Sequence, residues 1–170
     1  MSQHHYGRLL RSAAGVVQAP VHDVADVVLR AEAGEVDRDS WILQHTHAKR
    51  GLVLTGGPTR FGVVPRGLSA PTMFIEVDRP RRTVTVEGRW WFRGVYSLEP
   101  HPSGTLVVYR VYDIACTARW LVALLLLQYR LSGTLDGSSV QSQVHTFVGW
   151  IGRRLGCGVR LATAAERPGG

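Results

Sequence analysis

The chain has 170 residues, enough for one domain with a real core, and its 45% hydrophobic content excludes extensive disorder. Its formal net charge is +7 at pH 7, but the basic residues are scattered and do not gather in a tail or on one helix face. This pattern argues against a nucleic-acid-binding protein. Two cysteines, Cys116 and Cys157, are too few for a four-thiolate metal site or a disulfide scaffold.

The first third of the chain predicts a strand, a short helix and further short strands. Residues 7–19 are predicted to form the first strand, and the Ala19-Pro20 pair ends it. Pro20 suits a helix start, and the valines at 21, 24, 27 and 28 recur at helical spacing, so a short helix follows. Alternating apolar residues predict a strand near 41–47, and shorter strands are expected at 52–55 and 59–65.

The middle of the chain has the strongest β pattern. Strands are predicted at 72–78, 82–87, 89–99 and 105–114, with turns rich in proline and glycine between them. Consecutive strands joined by such short turns predict an antiparallel meander.

An apolar run at 121–127 (LVALLLL) has two interpretations. It is too short to cross a bilayer, which takes about 20 residues. The run fits either a buried helix or a peripheral contact with a membrane surface, and the sequence does not decide between them.

The last predicted element is a long amphipathic helix over 140–156. Its apolar stripe repeats at helical spacing and comprises Val140, Val144, Phe147, Val148, Ile151 and Leu155. Arginines in the last turn and Gly156 after it are typical of a helix end. Since the strands run together and the helices are segregated, the expected fold class is α+β.

Several segments resemble the START-related, polyketide-cyclase-like superfamily, also called SRPBCC, and in particular its bacterial members. They are the opening strand leading into Ala19-Pro20, the segment 94–100 (GVYSLEP), the segment 103–108 (SGTLVV) and the last helix. The resemblance covers residues 7–156 and implies a helix-grip fold, a curved antiparallel sheet wrapped on a long C-terminal helix around an internal hydrophobic cavity. It implies one domain over 7–156, with 1–6 and 157–170 as flexible or loosely packed termini.

The histidines His45 and His47 would share one face of a strand and could supply two metal ligands, with Glu76 or Asp113 as a third. Local spacing marks no third ligand, so we expect no metal and no cofactor. Acids inside apolar strands could have raised pKa values if they line a pocket, or could simply face solvent.

Candidate site residues are drawn from the aromatic and ionisable side chains of the strands. The catalytic candidates are Arg93, Tyr109, Asp113 and His45. The expected ligand-binding residues are Trp41, Phe74, Trp90, Trp91, Tyr96, Tyr109, Tyr112 and Phe147.

Three functions are compatible with these features. The first is binding of a hydrophobic or aromatic small molecule, such as a lipid or a polyketide-like metabolite, in an internal pocket. The second is a cofactor-independent enzyme of the cyclase or aromatase kind, in which pocket Arg, Tyr, His or Asp side chains perform acid–base chemistry. The third is a membrane-associated lipid carrier. With no secretory signal visible at the N-terminus, we expect a cytoplasmic protein.

Overall fold

The computed structural model describes residues 7–37, 39–45, 51–88, 92–114 and 137–166, and only the backbone of 44, 45 and 137–139. These residues form nine strands, two α-helices and two short 3-10 helices. In chain order they are β1 (Arg8–Val17), α1 (Val21–Val28), β2 (Gly34–Glu35), a 3-10 helix (Trp41–His45), β3 (Leu52–Gly56), β4 (Arg60–Pro65), β5 (Met73–Asp78), β6 (Thr83–Gly88), β7 (Phe92–His101), β8 (Gly104–Asp113), α2 (Gly137–Leu155), β9 (Val159–Leu161) and a 3-10 helix (Ala164–Glu166).

All nine strands belong to one antiparallel sheet in the order β2-β3-β4-β5-β6-β7-β8-β1-β9. Strands β5 to β8 confirm the predicted meander, because each pairs with the next along the chain. The first strand pairs with β8, so the two longest pairings of the sheet lie next to each other.

The predicted strand near 41–47 is wrong, because residues 41–45 form a 3-10 helix. Ser40 starts this turn: its side-chain oxygen accepts a hydrogen bond from the N–H of Ile42, and its carbonyl accepts one from Leu43. Trp41 and Ile42 are neighbours in sequence and are both buried, which strand alternation does not allow on a half-buried sheet.

The core lies on one face of the sheet, here called the inner face. It takes alternate residues of every long strand, such as Ile75 and Val77 of β5, and it takes the apolar stripe of α2. Four residues of that stripe have no exposed surface: Val144, Phe147, Val148 and Ile151.

The helix-grip fold class is corrected by the arrangement of these elements. The described residues are dominated by the nine-stranded sheet, and α2 packs mainly on β1 and β9 at one end of it instead of being wrapped by it. Gly15 of β1 allows this, since a Cβ there would lie 3.0 Å from the side chain of Val148. Nor is α2 the last element, because β9 follows it.

Large aromatic side chains lie in the described core between α2 and the sheet, where that prediction placed an internal cavity. The rings of Tyr96 and Tyr109 stack with centroids 4.2 Å apart, and Phe147 of α2 lies 4.3 Å from Tyr96. These large side chains fill the space that smaller ones would leave open.

Residues 157–166, the described part of the predicted terminus 157–170, include a strand of the sheet. Strand β9 pairs with β1, and the N–H of Ala162 donates to the carbonyl of Ala14. Ala162 is buried on the outer face of the sheet in a small apolar cluster with Ala14, Val16, Leu106 and Val108. Residues 1–6 and 167–170 lie outside the described residues.

None of the helices formed by the described residues is long and apolar enough to cross a membrane. The apolar run at 121–127, for which a membrane contact was considered, lies outside the described residues.

Candidate functional site

A cleft of about 480 Å³ opens where α1, the segment after it, β3 and the end of α2 meet. Its wall combines apolar side chains with charged ones at the rim. The lining residues are Asp26, Val27, Arg30, Ala31, Glu32, Glu35, Val36, Asp37, Ser40, Trp41, Ile42, Leu54, Trp150 and Arg154.

The segment after α1 builds one wall of the cleft by following the edge of the sheet. Gly34 and Glu35 form β2, which pairs with Leu54 and Val53 of β3. The N–H of Val36 then donates to the carbonyl of Leu52. These backbone bonds fix residues 34–36 on the sheet, and the chain between them and α1 encloses the cleft.

Trp41 forms the floor of the cleft next to the core. Its side chain is only 2% exposed and meets Phe147 edge to face, with ring centroids 5.7 Å apart and an interplanar angle of 83°. Such a contact is a favoured geometry for aromatic pairs. The ring is therefore held in one orientation by α2.

Trp150 forms a second aromatic wall, from the C-terminal half of α2. Its indole N–H donates to the backbone carbonyl of Asp39, and its ring stacks on Phe147 at 6.3 Å. The guanidinium carbon of Arg154 lies 5.7 Å from the centroid of the Trp150 ring, within the range of a cation–π contact.

The charges at the rim are held by exposed ion pairs. Arg154 lies 4.0 Å from Asp37, Arg30 lies 3.4 Å from Glu32, and Arg66 reaches Glu35 from outside the cleft at 2.6 Å. All six side chains are more than 40% exposed. Exposed pairs of this kind contribute about 0–1 kcal/mol, so they can rearrange at low cost when a ligand arrives.

Of the predicted ligand-binding residues, Trp41 lines this cleft and three others lie in the core. Tyr96, Tyr109 and Phe147 have no exposed surface and form the ring stack between α2 and the sheet. Burial, together with the neighbouring Tyr109, raises the pKa of Tyr96 well above its usual range, and burial raises the pKa of Tyr109. Both phenols are therefore neutral at physiological pH.

Phe74 and Tyr112 lie on the outer face of the sheet, opposite the core residues of their strands. The guanidinium of Arg60 lies 4.9 Å from the Phe74 ring, and Tyr112 is half-buried beside its register partner Arg93. These two side chains are remote from the cleft because a sheet separates its two faces.

The proposed acid–base residues are not brought together. Arg93 lies on the outer face, where it pairs with Glu87 at 3.1 Å, whereas Tyr109 and Asp113 lie on the inner-face side of β8. The sheet separates Arg93 from the other two side chains, so the three do not form one cyclase site. The side chains of His45, His47, Trp90 and Trp91 lie outside the described residues.

Sequence reasoning missed most of the cleft. The segment 35–39 contains three acids but matches no predicted element, and Trp150 lies beside the helical stripe without belonging to it. The available signal was the concentration of acids between the first helix and Trp41. Within the part of the chain that the structure describes, no group of three or more His, Cys, Asp and Glu residues could hold a metal ion.

Comparisons with known proteins add little to this geometry. No family model matches the chain, and no curated protein matches it. Among solved structures it is similar to TTHA0849 from Thermus thermophilus, with 15% identity and a TM-score of 0.41, over 85% of this chain and 99% of that one. This similarity is too low to show a shared fold, and no family is assigned.

Proposed function

We propose that the protein binds a small amphipathic organic molecule in the cleft between α1 and α2. The observation that carries this proposal is the combination of volume and lining. Pockets for small molecules usually measure about 300–1,000 Å³ and are mainly apolar with a few polar groups. This cleft, at about 480 Å³, lies in that range of volume; seven of its 14 lining residues are apolar, among them Trp41, Trp150 and Leu54, and six are charged.

The cleft replaces the internal pocket expected from the sequence. Between α2 and the sheet the ring stack of Tyr96, Tyr109 and Phe147 occupies the space, so a ligand there would have to displace buried aromatic side chains. A ligand in the cleft would displace none of these three rings. The apolar body of the ligand lies against the tryptophans, and its polar end reaches the rim.

Binding is a better description than catalysis for this site. The described lining contains no His, Cys or Tyr. Its one hydroxyl, on Ser40, already accepts the N–H of Ile42, and the indole N–H of Trp150 is occupied by a backbone carbonyl. The described lining therefore lacks the usual pairing of a Ser or Cys nucleophile with a histidine base, and three of its four carboxylates are in exposed ion pairs. The cytoplasm remains the expected compartment, on the sequence grounds given above.

Native mass spectrometry of the purified protein tests the proposal, because a bound molecule adds its mass to the intact chain. Ala31→Trp places an indole in the cleft and should abolish that adduct. Ala33→Trp is the matched control, since Ala33 is exposed and outside the lining. If the adduct persists in Ala31→Trp, or if the wild-type protein retains no organic molecule and a metabolite library yields no ligand, the proposal is wrong.

A further inference from the structure

The charges around the cleft differ in sign from those of the whole chain. The chain carries a net charge of +7 and only 13 acidic residues. Four of these acids, Asp26, Glu32, Glu35 and Asp37, are among the 14 lining residues, against two arginines. A cleft lined by one sign of charge concentrates the opposite ion, so the described lining favours a cation.

The side chain of Arg154 shows where a cation is accommodated. Its guanidinium lies 5.7 Å from the centroid of the Trp150 ring and 4.0 Å from the carboxylate of Asp37. An aromatic face beside a carboxylate is the environment in which proteins bind organic cations. The cleft thus contains a cation position that is filled from within by a side chain on the last turn of α2.

Arg154 is held there weakly. Its side chain is 44% exposed and that of Asp37 is 76% exposed, so their ion pair contributes about 0–1 kcal/mol. A long arginine side chain at such exposure can move into solvent and keep its charge hydrated. The face of Trp150 would then be open to a cation that belongs to a ligand.

Asp26 provides a second carboxylate that could pair with the cationic group of a ligand. Asp26 lines the cleft from α1, and among the described residues it makes no ion pair, whereas Glu32 and Glu35 are paired with Arg30 and Arg66. An anionic ligand would meet the opposite situation: both lining arginines, Arg30 and Arg154, already have carboxylate partners. An anion would also meet four carboxylates against these two arginines in the described lining, an excess of negative charge that repels it.

We propose that the ligand is an organic cation, an aromatic or aliphatic body bearing an ammonium or a related group. This inference rests on the proposed binding function and goes further by naming the ligand class. The body contacts Trp41 and Leu54, and the cationic group takes the place of the Arg154 guanidinium over Trp150. Asp37 and Asp26 supply the counter-charge.

Three probes with the same indole body and different charge test the inference by isothermal titration calorimetry at low salt. They are tryptamine, a cation at pH 7, uncharged 3-methylindole, and indole-3-acetate, an anion. We expect tryptamine to bind at least tenfold more tightly than indole-3-acetate, with 3-methylindole between them, and the tryptamine affinity to fall with added salt. If indole-3-acetate binds as tightly as tryptamine, or if no probe binds at millimolar concentration, the inference is overturned.

Single substitutions locate the effect in the cleft. Asp37→Asn keeps the side-chain oxygen that accepts the N–H of Asp39 and removes the charge, so tryptamine affinity should fall by about two- to fivefold. Arg154→Gln frees the Trp150 face and should raise that affinity by a similar factor or more. Glu76→Gln is the charge-matched control, because Glu76 pairs with Arg60 on the outer face of the sheet.

The two proposals fail in different ways. Reduced tryptamine affinity in Arg154→Gln would show that this arginine contributes to the ligand site itself, and it would overturn the displacement by a cation. The binding function would still stand if the molecule retained by the wild-type protein is lost in Ala31→Trp. Loss of the binding function itself shows up in that Ala31→Trp experiment, which does not depend on the charge of the probe.

Discussion

Gly94 of β7 supports the ring stack at the centre of the core, and replacing it with alanine should destabilise the protein. A Cβ at this position would lie 2.6 Å from the hydroxyl oxygen of Tyr109 and 2.7 Å from its Cε2 atom. Ordinary van der Waals contact begins at 3.4 Å, so the ring would have to move by about 0.8 Å. It cannot do so freely, because the ring of Tyr96 is stacked on it at 4.2 Å.

We expect Gly94→Ala to lower the free energy of unfolding by about 1–3 kcal/mol, the usual cost of overpacking a dense core. Urea denaturation followed by far-UV circular dichroism measures this change directly. Gly149→Ala is the control: the position is inside α2, where the nearest atom to a new Cβ is the flexible end of Arg153 at 3.7 Å. There alanine should stabilise the protein by about 0.5–1 kcal/mol.

The clash also predicts a coupling between the two positions. Removing the ring in Tyr109→Leu makes room for the new Cβ, so adding Gly94→Ala to that variant should cost less than it does in the wild type. If Gly94→Ala alone changes the free energy of unfolding by less than about 0.5 kcal/mol, the ring does not rest on Gly94 and the description of the stack is incorrect.

Three further predictions concern other contacts. Thr105→Val removes the buried 2.7 Å hydrogen bond to the carbonyl of Ala19 and should lower the free energy of unfolding by about 1–3 kcal/mol in urea denaturation. The control is Thr72→Val at an exposed position with a 3.4 Å hydrogen bond, which should change the free energy of unfolding by less than about 0.5 kcal/mol. Equal effects of the two substitutions would contradict this ranking. The hydrogen bonds from Arg160, and then those from Thr163, hold the pKa of Glu166 well below its usual range, so the folded carboxylate binds fewer protons than the unfolded one. The contribution of the Glu166 carboxylate to stability is complete above about pH 4.5 and is lost as the pH falls further. Glu166→Gln should therefore flatten the acidic part of a curve of unfolding free energy against pH. An unchanged slope there would refute the assignment to Glu166. Arg93→Met breaks the half-buried ion pair with Glu87 and should lower the free energy of unfolding by about 1.5–3 kcal/mol. It should leave the affinity of a ligand in the cleft unchanged. An altered calorimetric Kd would show that the outer face of the sheet takes part in binding.

The sequence by itself determined the local elements of this protein. Alternation of apolar residues predicts β5, β6 and β8 within one or two residues, because strand geometry places every second side chain on the same face. In the same way the spacing of Val144, Phe147 and Ile151 marks the buried stripe of α2. Local patterns identify which side of an element is apolar.

Only the tertiary structure decided what covers each apolar side. Periodicity is the same whether a helix is wrapped by a sheet or lies at one end of it, and here Gly15 allows close approach of α2 to β1. Whether a cavity remains depends on the volumes of side chains that are far apart in the sequence, and here the rings of Tyr96, Tyr109 and Phe147 stack between α2 and the sheet. The cleft is likewise built from four separate segments whose side chains, from Asp26 to Arg154, meet only after folding.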